Sequence, residues 1–418
     1  MSKKEYNWQD GAKIGDHTRK KHSVLERYLR EYLITRCQIP QQELFRLVLV
    51  DAFAGAGLYD DKSHGSPLIF VNLLANTTNE INALRIAKGM RPVRIHCLLL
   101  LNDKQEVVEL LQKHITPALE HARDVAPGLS IEAEYYSRDF EKLYPLLVDR
   151  IQVARCGNVV FNLDQYGYSD VTGGVISDIM RRWQHAEVFL TFAIASLLAF
   201  LSPQQTERSI AFDLDLSDRL SQLRENTDTL LNKKEWLGVA ERVVFTHFCT
   251  CAPYVSPFSI DNPSGWRYWL MHFANSHRAR QVYNNVLHED VSVQAHYGRA
   301  GLHMLSYNPE DEMQLYLFDN TSRERAKEAL VNEVSSMIAE FGNTLPVTDF
   351  YATAYSATPA HTDDIHEAIM ENPDIEVIME TGGVRRKATT IRPTDTLELK
   401  RQTRLFQTFF SDNKTKTD

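Results

Sequence analysis

Four aspartates that close or follow apolar runs are the residues with which this sequence could do chemistry. Asp51 ends the run LVLV and opens a turn of small residues, Ala54 to Gly57. Side chains this small let a ligand come within contact distance of the backbone, and strand ends are where open α/β sheets take their ligands. Asp164 ends the run NVVFNL and is followed by Gln165, Tyr166, Gly167 and Tyr168. A carboxylate there accepts hydrogen bonds from an amine while a neighbouring ring stacks on a flat acceptor, and an aspartate at a buried strand end needs such a partner. Between the two, Asp103 follows VRIHCLLLL and Asp139 follows a short run over 131–135. After the second strand of a nucleotide-binding sheet, a carboxylate accepts from the two hydroxyls of a ribose. After the third it bonds an adenine amine, with an apolar neighbour, here Phe140, against the ring.

The pattern Asp51-x-Phe53-x-Gly55-x-Gly57 is similar to the one that class I methyltransferases use for S-adenosylmethionine, the glycines clearing space for its amino-acid end. The phosphate-binding GxGxxG is absent. Two of the carboxylates have plainer readings. Asp103 could cap a helix over 105–114, and Asp139 one over 141–153. The roughly 50 residues from Asp51 to Asp103 exceed the ~20–30 of a minimal nucleotide-binding unit, so extra helix turns and a loop must fill the gap. Methyltransferases that act on exocyclic amines carry Asp/Asn-Pro-Pro-aromatic after the fourth strand. Here Gln165 replaces the first proline, and the rigid turn that aims the carbonyl is lost.

The elements that must position these residues read as alternating strands and helices. An arm over 1–15 precedes a helix starting at Asp16 and running to about Arg36, with Val24, Leu25, Tyr28, Leu29, Tyr32 and Leu33 as its buried stripe. Its first turns carry His17, Arg19, Lys20, Lys21 and His22, either a solvated basic face or, through His17 and Lys21, a contact to a phosphate at the site's mouth. After the glycine turn comes a polar insertion, 59–65, and then Ser66-Pro67, which reads as N-cap and first helical residue. A helix begins at Ser169 or Asp170, and 186–193 is the fifth strand. Residues 200–265 read as a helical insertion covering the substrate side, with 267–273 a sixth strand and 313–318 an edge strand. A helix over 323–341 carries a core stripe. His247, Cys249 and Cys251 lie in the insertion without a fourth ligand motif, and no metal site is expected. From about 345 the order is helix, turn, helix and a glycine-turn hairpin, 375–380 against 384–391, which is the order of a winged helix. Arg385, Arg386, Lys387 and Arg392, with Lys400, Arg401 and Arg404 nearby, make it a nucleic-acid contact or a packing module with a charged edge strand.

With 418 residues the chain is long enough for two domains, and its 43% hydrophobic and 24% charged residues are ordinary for a globular protein. A net charge of −9 supplies no global attraction for nucleic acid, so any such contact must be local. Five unpatterned cysteines argue against a disulfide framework and for a reducing compartment. The opening MSKKEYNWQD has no apolar segment of an export signal, and the longest apolar run, 188–201, is short for a membrane span. A cytoplasmic protein is expected.

HTRKKHSVLERYL, VDAFAGAGLY with GSPL, NLDQYGY and YWLMHFANSHRARQVYNNVL together resemble the three-Cys-motif partner protein (TcmP) family, from His17 to about residue 406. The resemblance implies a bacterial class I methyltransferase-like protein that binds S-adenosylmethionine and is encoded beside a partner with a three-cysteine motif. That family commonly has Asp-Pro-Phe-Gly after strand four. Asp164 and Gly167 match it, Tyr166 replaces Phe, and Gln165 departs. The expected organisation is an arm and helix at 1–36 and a Rossmann-like doubly wound α/β domain at 37–342 with a lid at about 200–265. A winged-helix-like module at 343–406 and a tail at 407–418 follow. The expected function is methyl transfer to an exocyclic amine of a base in DNA or RNA. In that reading Asp51, Phe53, Gly55, Gly57, Asp103, Asp139 and Phe140 hold the cofactor. Asp164, Tyr166 and Tyr168 take the acceptor, and Lys21, Arg385, Arg386, Lys387 and Arg392 meet nucleic acid. The alternative is a catalytically silent protein of the same fold that binds or regulates.

Overall fold

The computed structural model describes residues 8, 11–165, 167, 169–194, 197, 242–261, 267–289, 295–297, 315–317 and 320–400. A seven-stranded, mostly parallel sheet organises it: β1 (Leu44–Asp51), β2 (Arg94–Asn102), β3 (Leu129–Tyr136), β4 (Asn158–Leu163), β5 (His185–Phe192), β6 (Tyr254–Asp261) and β7 (Arg267–Ala274). Their order is β3-β2-β1-β4-β5-β7-β6, with β7 antiparallel to both neighbours. The chain therefore lays strands outward from β1 and then returns to its other side. The crevice between β1 and β4 is the switch point of a doubly wound, Rossmann-like sheet.

The apolar runs become strands because both faces of the sheet are covered. Leu47 and Leu49 of β1 pack against α1 (Asp16–Arg36), α2 (Ser66–Ala87), α3 (Gln105–Val125) and α6 (His277–Glu289). Val48 and Val50, pointing the other way, pack against α4 (Phe140–Ala154), α5 (Gly173–Arg182) and residues of a helical segment at 242–249. All six residues expected in the α1 stripe are buried. The long gap between Asp51 and Asp103 is filled by the insertion and by the 22 residues of α2. Gly65, not Ser66, is the N-cap of α2, and Ser66 and Pro67 open its first turn. Arg85 of α2 is buried, and its guanidinium donates to the carbonyls of Cys37, Ile39, Pro40, Gln42 and Arg91. These five bonds use all five of its N–H groups, and the four to Cys37, Ile39, Pro40 and Gln42 fix the linker between α1 and β1.

Residues 242–261, expected within the lid, belong to the body as the helical segment and edge strand β6. Pro257 inside β6 disguises it, since proline reads as a strand breaker yet is tolerated at a sheet edge. The remainder of the expected lid, 200–241 and 262–266, lies outside the described residues. Helix α5 starts later than expected, at Gly173 with Thr172 as its cap, and the segment 315–317 is β9, paired with β8 (Ala295–Tyr297) in a separate ribbon.

The C-terminal elements share a third core. They are α7 (Asn320–Glu340), β10 (Thr344–Pro346), α8 (Val347–Ala357), α9 (Thr362–Glu371), β11 (Ile375–Ile378) and β12 (Thr396–Leu399). The strands form a small antiparallel sheet, β10-β12-β11. The expected hairpin needs correcting. The turn at Gly382–Gly383 forms, with Met379 N–H donating to Gly383 O at 2.7 Å, but after the Ile378–Val384 bridge the chain leaves through a 3-10 turn, Ala388–Thr390. The true partner of β11 is β12. No helix among the described residues is long and apolar enough to cross a membrane.

Candidate functional site

The C-terminal ends of β1, β2 and β4 bring Asp51, Asp103 and Asp164 to one region. Asp51 is fully buried. Asn162 of β4 donates to its Oδ1 at 3.1 Å, and its Oδ2 has no hydrogen-bond partner among the described residues. Burial pushes this carboxyl up to about 7, and the charges of Asp164 and Asp103 add to the shift while Ser66 and Asn162 oppose it. Asp103 does not cap α3, whose N-cap is Lys104. Its Oδ2 accepts from Gly55 N at 2.7 Å and its Oδ1 from Lys104 N at 2.8 Å, so it ties the end of β2 to the glycine turn of β1. Burial raises its pKa, and these two backbone donors oppose the rise.

The turn itself is held from several sides. Gly55 has φ +63° and Gly57 φ +82°, the left-handed region that glycine adopts without strain. Ala54 N donates to Asn102 O at 2.9 Å, Gly65 N to Gly57 O at 2.7 Å, and His114 Nδ1 lies 2.6 Å from Ala56 O. A Cβ on Gly55 would lie 2.6 Å from Cζ2 of Trp8, a residue of the N-terminal arm. Asn102 is a further organiser, buried, with its Nδ2 donating to Ala52 O and Arg138 O and its Oδ1 accepting from Arg138 N. It laces the ends of the first three strands together, and in the sequence only its place before Asp103 marks it.

At the end of β4, Asp164 meets α1. Lys21 Nζ lies 2.5 Å from Asp164 Oδ1 and 3.5 Å from Thr191 Oγ1 of β5. Burial raises the Asp164 carboxyl, but the Lys21 charge and hydrogen bonds from Lys21 and Thr191 outweigh it and hold it below the usual range. Lys21 is buried, so it is no part of a solvated basic face. His17 beside it stacks on Tyr268 with centroids 4.9 Å apart, and His22 is buried, its pKa lowered to about 4 by burial and by Lys21. Gln165 explains its own presence. It is buried, and its Oε1 accepts from Asp170 N at 3.0 Å and Val171 N at 3.1 Å, so a side-chain amide closes the turn and α5 starts only after it. Tyr166 and Tyr168 lie outside the described residues.

Asp139 is the N-cap residue of α4 without a side-chain cap bond, and its exposed carboxylate pairs with Lys142 at 3.3 Å. Phe140 is buried in the core, 5.9 Å from the ring of Phe53. Arg385 is committed to Asp395 through two hydrogen bonds of 2.9 and 3.0 Å, so it is not free to meet a ligand while that pair stands. Arg386, Lys387 and Arg392 are exposed. Arg401 and Arg404 lie outside the described residues. No group of three His, Cys, Asp or Glu side chains is arranged for a metal among the described residues, and Cys251 of the His-Cys-Cys run bonds Gly173 O instead. A cavity of about 200 Å³ lies elsewhere, near the N-terminal ends of β1 to β3, lined by Arg46, His96, Ser130, Glu132, Arg150 and Cys156 among others.

No family model matches this chain, and no curated protein matches it. Among solved structures it is similar to Csm6 of Enterococcus italicus bound to cyclic hexa-2'-fluoro-hexa-dAMP, with 8% identity and a TM-score of 0.22 over 79% of this chain and 64% of that one. It is similar also to loganic acid methyltransferase with SAH, with 9% identity and a TM-score of 0.23 over 93% of this chain and 99% of that one. The alignment thus spans about two thirds of the Csm6 chain.

Proposed function

We propose that this chain binds S-adenosylmethionine at the ends of β1 and β2 and transfers its methyl group to an exocyclic amine of a nucleic-acid base. The observation that carries the reading is the bond from Gly55 N to Asp103 Oδ2. It joins a glycine turn to the β2 carboxylate beside the switch point, where doubly wound sheets take nucleotide-like ligands. The buried Oδ2 of Asp51 at the foot of that turn, which has no hydrogen-bond partner among the described residues, fits a ligand with a donor-bearing, positively charged end. Asp51, Phe53, Gly55 and Gly57 would border that end and Asp103 the ribose. Asp139 and Phe140 would border the adenine, Asp139 by releasing Lys142. The cofactor supplies a methyl group on a sulfonium; the protein's task is in-line positioning of the acceptor.

Asp164 would accept a hydrogen bond from the acceptor amine, with Tyr166 or Tyr168 stacked on the base. Lys21 must first leave Asp164 Oδ1, and the freed ammonium becomes a counter-ion for a phosphate of the same acceptor, which favours a nucleotide unit. The C-terminal order of helix, strand, two helices, strand, turn and strand supports a winged-helix-like module, with Arg386, Lys387 and Arg392 as its nucleic-acid contacts. A three-cysteine-motif protein is the proposed partner.

Calorimetry with S-adenosylmethionine tests the reading. Wild-type protein should bind saturably, and Asp103→Ala should weaken binding by about 10-fold to 100-fold, the worth of hydrogen bonds to a charged group. Folded wild-type protein that does not bind would sink it. The second reading, a binding or regulatory protein without catalysis, is favoured by the ion pair that occupies Asp164. Asp164→Ala separates the two: loss of transfer with retained cofactor binding supports the enzyme.

A further inference from the structure

The glycine turn is already in contact with another part of the chain. The ideal Cβ position on Gly55 lies 2.6 Å from Cζ2 and 3.0 Å from Cη2 of Trp8, so the six-membered ring of the indole rests on the glycine itself. The same ring system meets Tyr59 at 5.2 Å between centroids, tilted by 45°. The arm is tied down just beyond. Asp60 N donates to Ala12 O at 3.0 Å, a Cβ on Gly11 would lie 3.2 Å from Cβ of Asp60, and Arg19 at the start of α1 pairs with Asp61. Three of these docking points, Tyr59, Asp60 and Asp61, belong to the insertion that separates the glycine turn from α2. The insertion therefore serves as a seat for the arm.

We propose that Trp8 is an autoinhibitory occupant of the glycine turn, and that a ligand entering at the end of β1 must lift the indole off Gly55 and Tyr59. The proposal rests on the ligand reading above. Among the described residues the docking includes an aromatic pair, a backbone hydrogen bond and an exposed ion pair, of which the ion pair adds little. Apparent affinity falls by the fraction of molecules that are open, so removing the indole raises it.

The test measures binding of S-adenosylmethionine and S-adenosylhomocysteine by calorimetry to wild type and Trp8→Ala, alongside tryptophan emission. The Trp8 component is taken as the difference between wild type and Trp8→Phe. Trp8→Ala should bind both probes about fivefold to fiftyfold tighter, the size of a lost aromatic contact with its burial. In the wild type the Trp8 component should shift to the red on saturation. Equal affinity, or weaker binding by Trp8→Ala, overturns the proposal while leaving the ligand reading intact; in the second case the indole is a wall of the site. If neither protein binds either probe, the S-adenosyl reading fails. Gly55→Ala then decides the contact, since its methyl must evict the ring. A red shift of the Trp8 component supports the seat at Gly55, and an unchanged component overturns it.

Discussion

Replacing Lys21 by Met removes the cation from Asp164 while keeping most of the side-chain volume. The Lys21 side chain is 10% exposed and that of Asp164 is 25% exposed. Breaking a fully buried pair costs about 3–5 kcal/mol, because the remaining charge is left without compensation. The quarter of Asp164 that faces water lowers this to about 2 kcal/mol. The pH dependence has a definite sign. In the wild type the pair holds the Asp164 carboxyl below its unfolded value of about 3.9, so its stabilisation is present above that value and is lost as pH falls through the lower folded one. In Lys21→Met burial acts without the ion pair and the folded value rises above the unfolded one. The deficit is then largest at neutral pH and shrinks as acid protonates Asp164. Urea midpoints of wild type, Lys21→Met, Asp164→Asn and the double variant, read by circular dichroism at about pH 5 and pH 8, give the coupling directly. A deficit that is the same at both pH values, or a coupling below about 0.5 kcal/mol, refutes the pairing as the force that joins α1 to β4.

Asp51 titrates at about 7, so affinity for a cationic ligand should rise as pH increases through that value, and Asp51→Asn should flatten the profile in calorimetry. Because its folded value lies above the unfolded one, the wild type loses stability as pH rises from about 4 to 7, and thermal unfolding of Asp51→Asn should lack that slope. Arg85→Lys keeps the charge but cannot supply five planar donors; about 2–3 kcal/mol of destabilisation is expected in urea melts, and an unchanged midpoint would contradict the hydrogen-bond account. In the C-terminal module, Arg385→Ala should accelerate amide exchange around Asp395, whereas Arg386→Ala should leave it unchanged and lower affinity for a DNA or RNA oligomer. The reverse pattern would reassign the two arginines.

The central parallel strands β1, β4 and β5 were legible because burial on both faces leaves a largely apolar run, and NVVFNL matches β4 to the residue. The stripe of α1 was legible for the same reason, one face meeting one core. What stayed hidden depends on partners far away in the chain. Lys21 lies 143 positions from Asp164, and nothing in its local spacing separates it from the exposed Arg19 or the half-buried Lys20. Strand β6 was missed because Pro257 and two serines interrupt an edge that needs fewer apolar residues. The late start of α5 follows from the Gln165 amide, whose bonds from the backbone N–H groups of Asp170 and Val171 no propensity scale registers. Asp139 has the right neighbours in sequence, yet its carboxylate faces solvent and Lys142. β10 and β12 are each short, and their pairing, not their composition, makes them strands.

The linker clamped by Arg85 has a mechanical meaning. Helix α1 runs from Lys21, beside the strand ends that carry Asp164, back to Arg36, which bonds Asn158 at the start of β4, about 22 Å at the usual helical rise. Beyond Arg36 the chain is held by Arg85 through the carbonyls of Cys37, Ile39, Pro40 and Gln42. The helix is thus a rod pinned at its far end, and the length between pin and tip sets where the Lys21 ammonium arrives. A one-residue insertion in α1 would turn the tip by roughly 100° and advance it by about 1.5 Å, sending the cation away from Asp164 without touching either residue. The position of a charge at the candidate site is set by a guanidinium on the other side of the molecule.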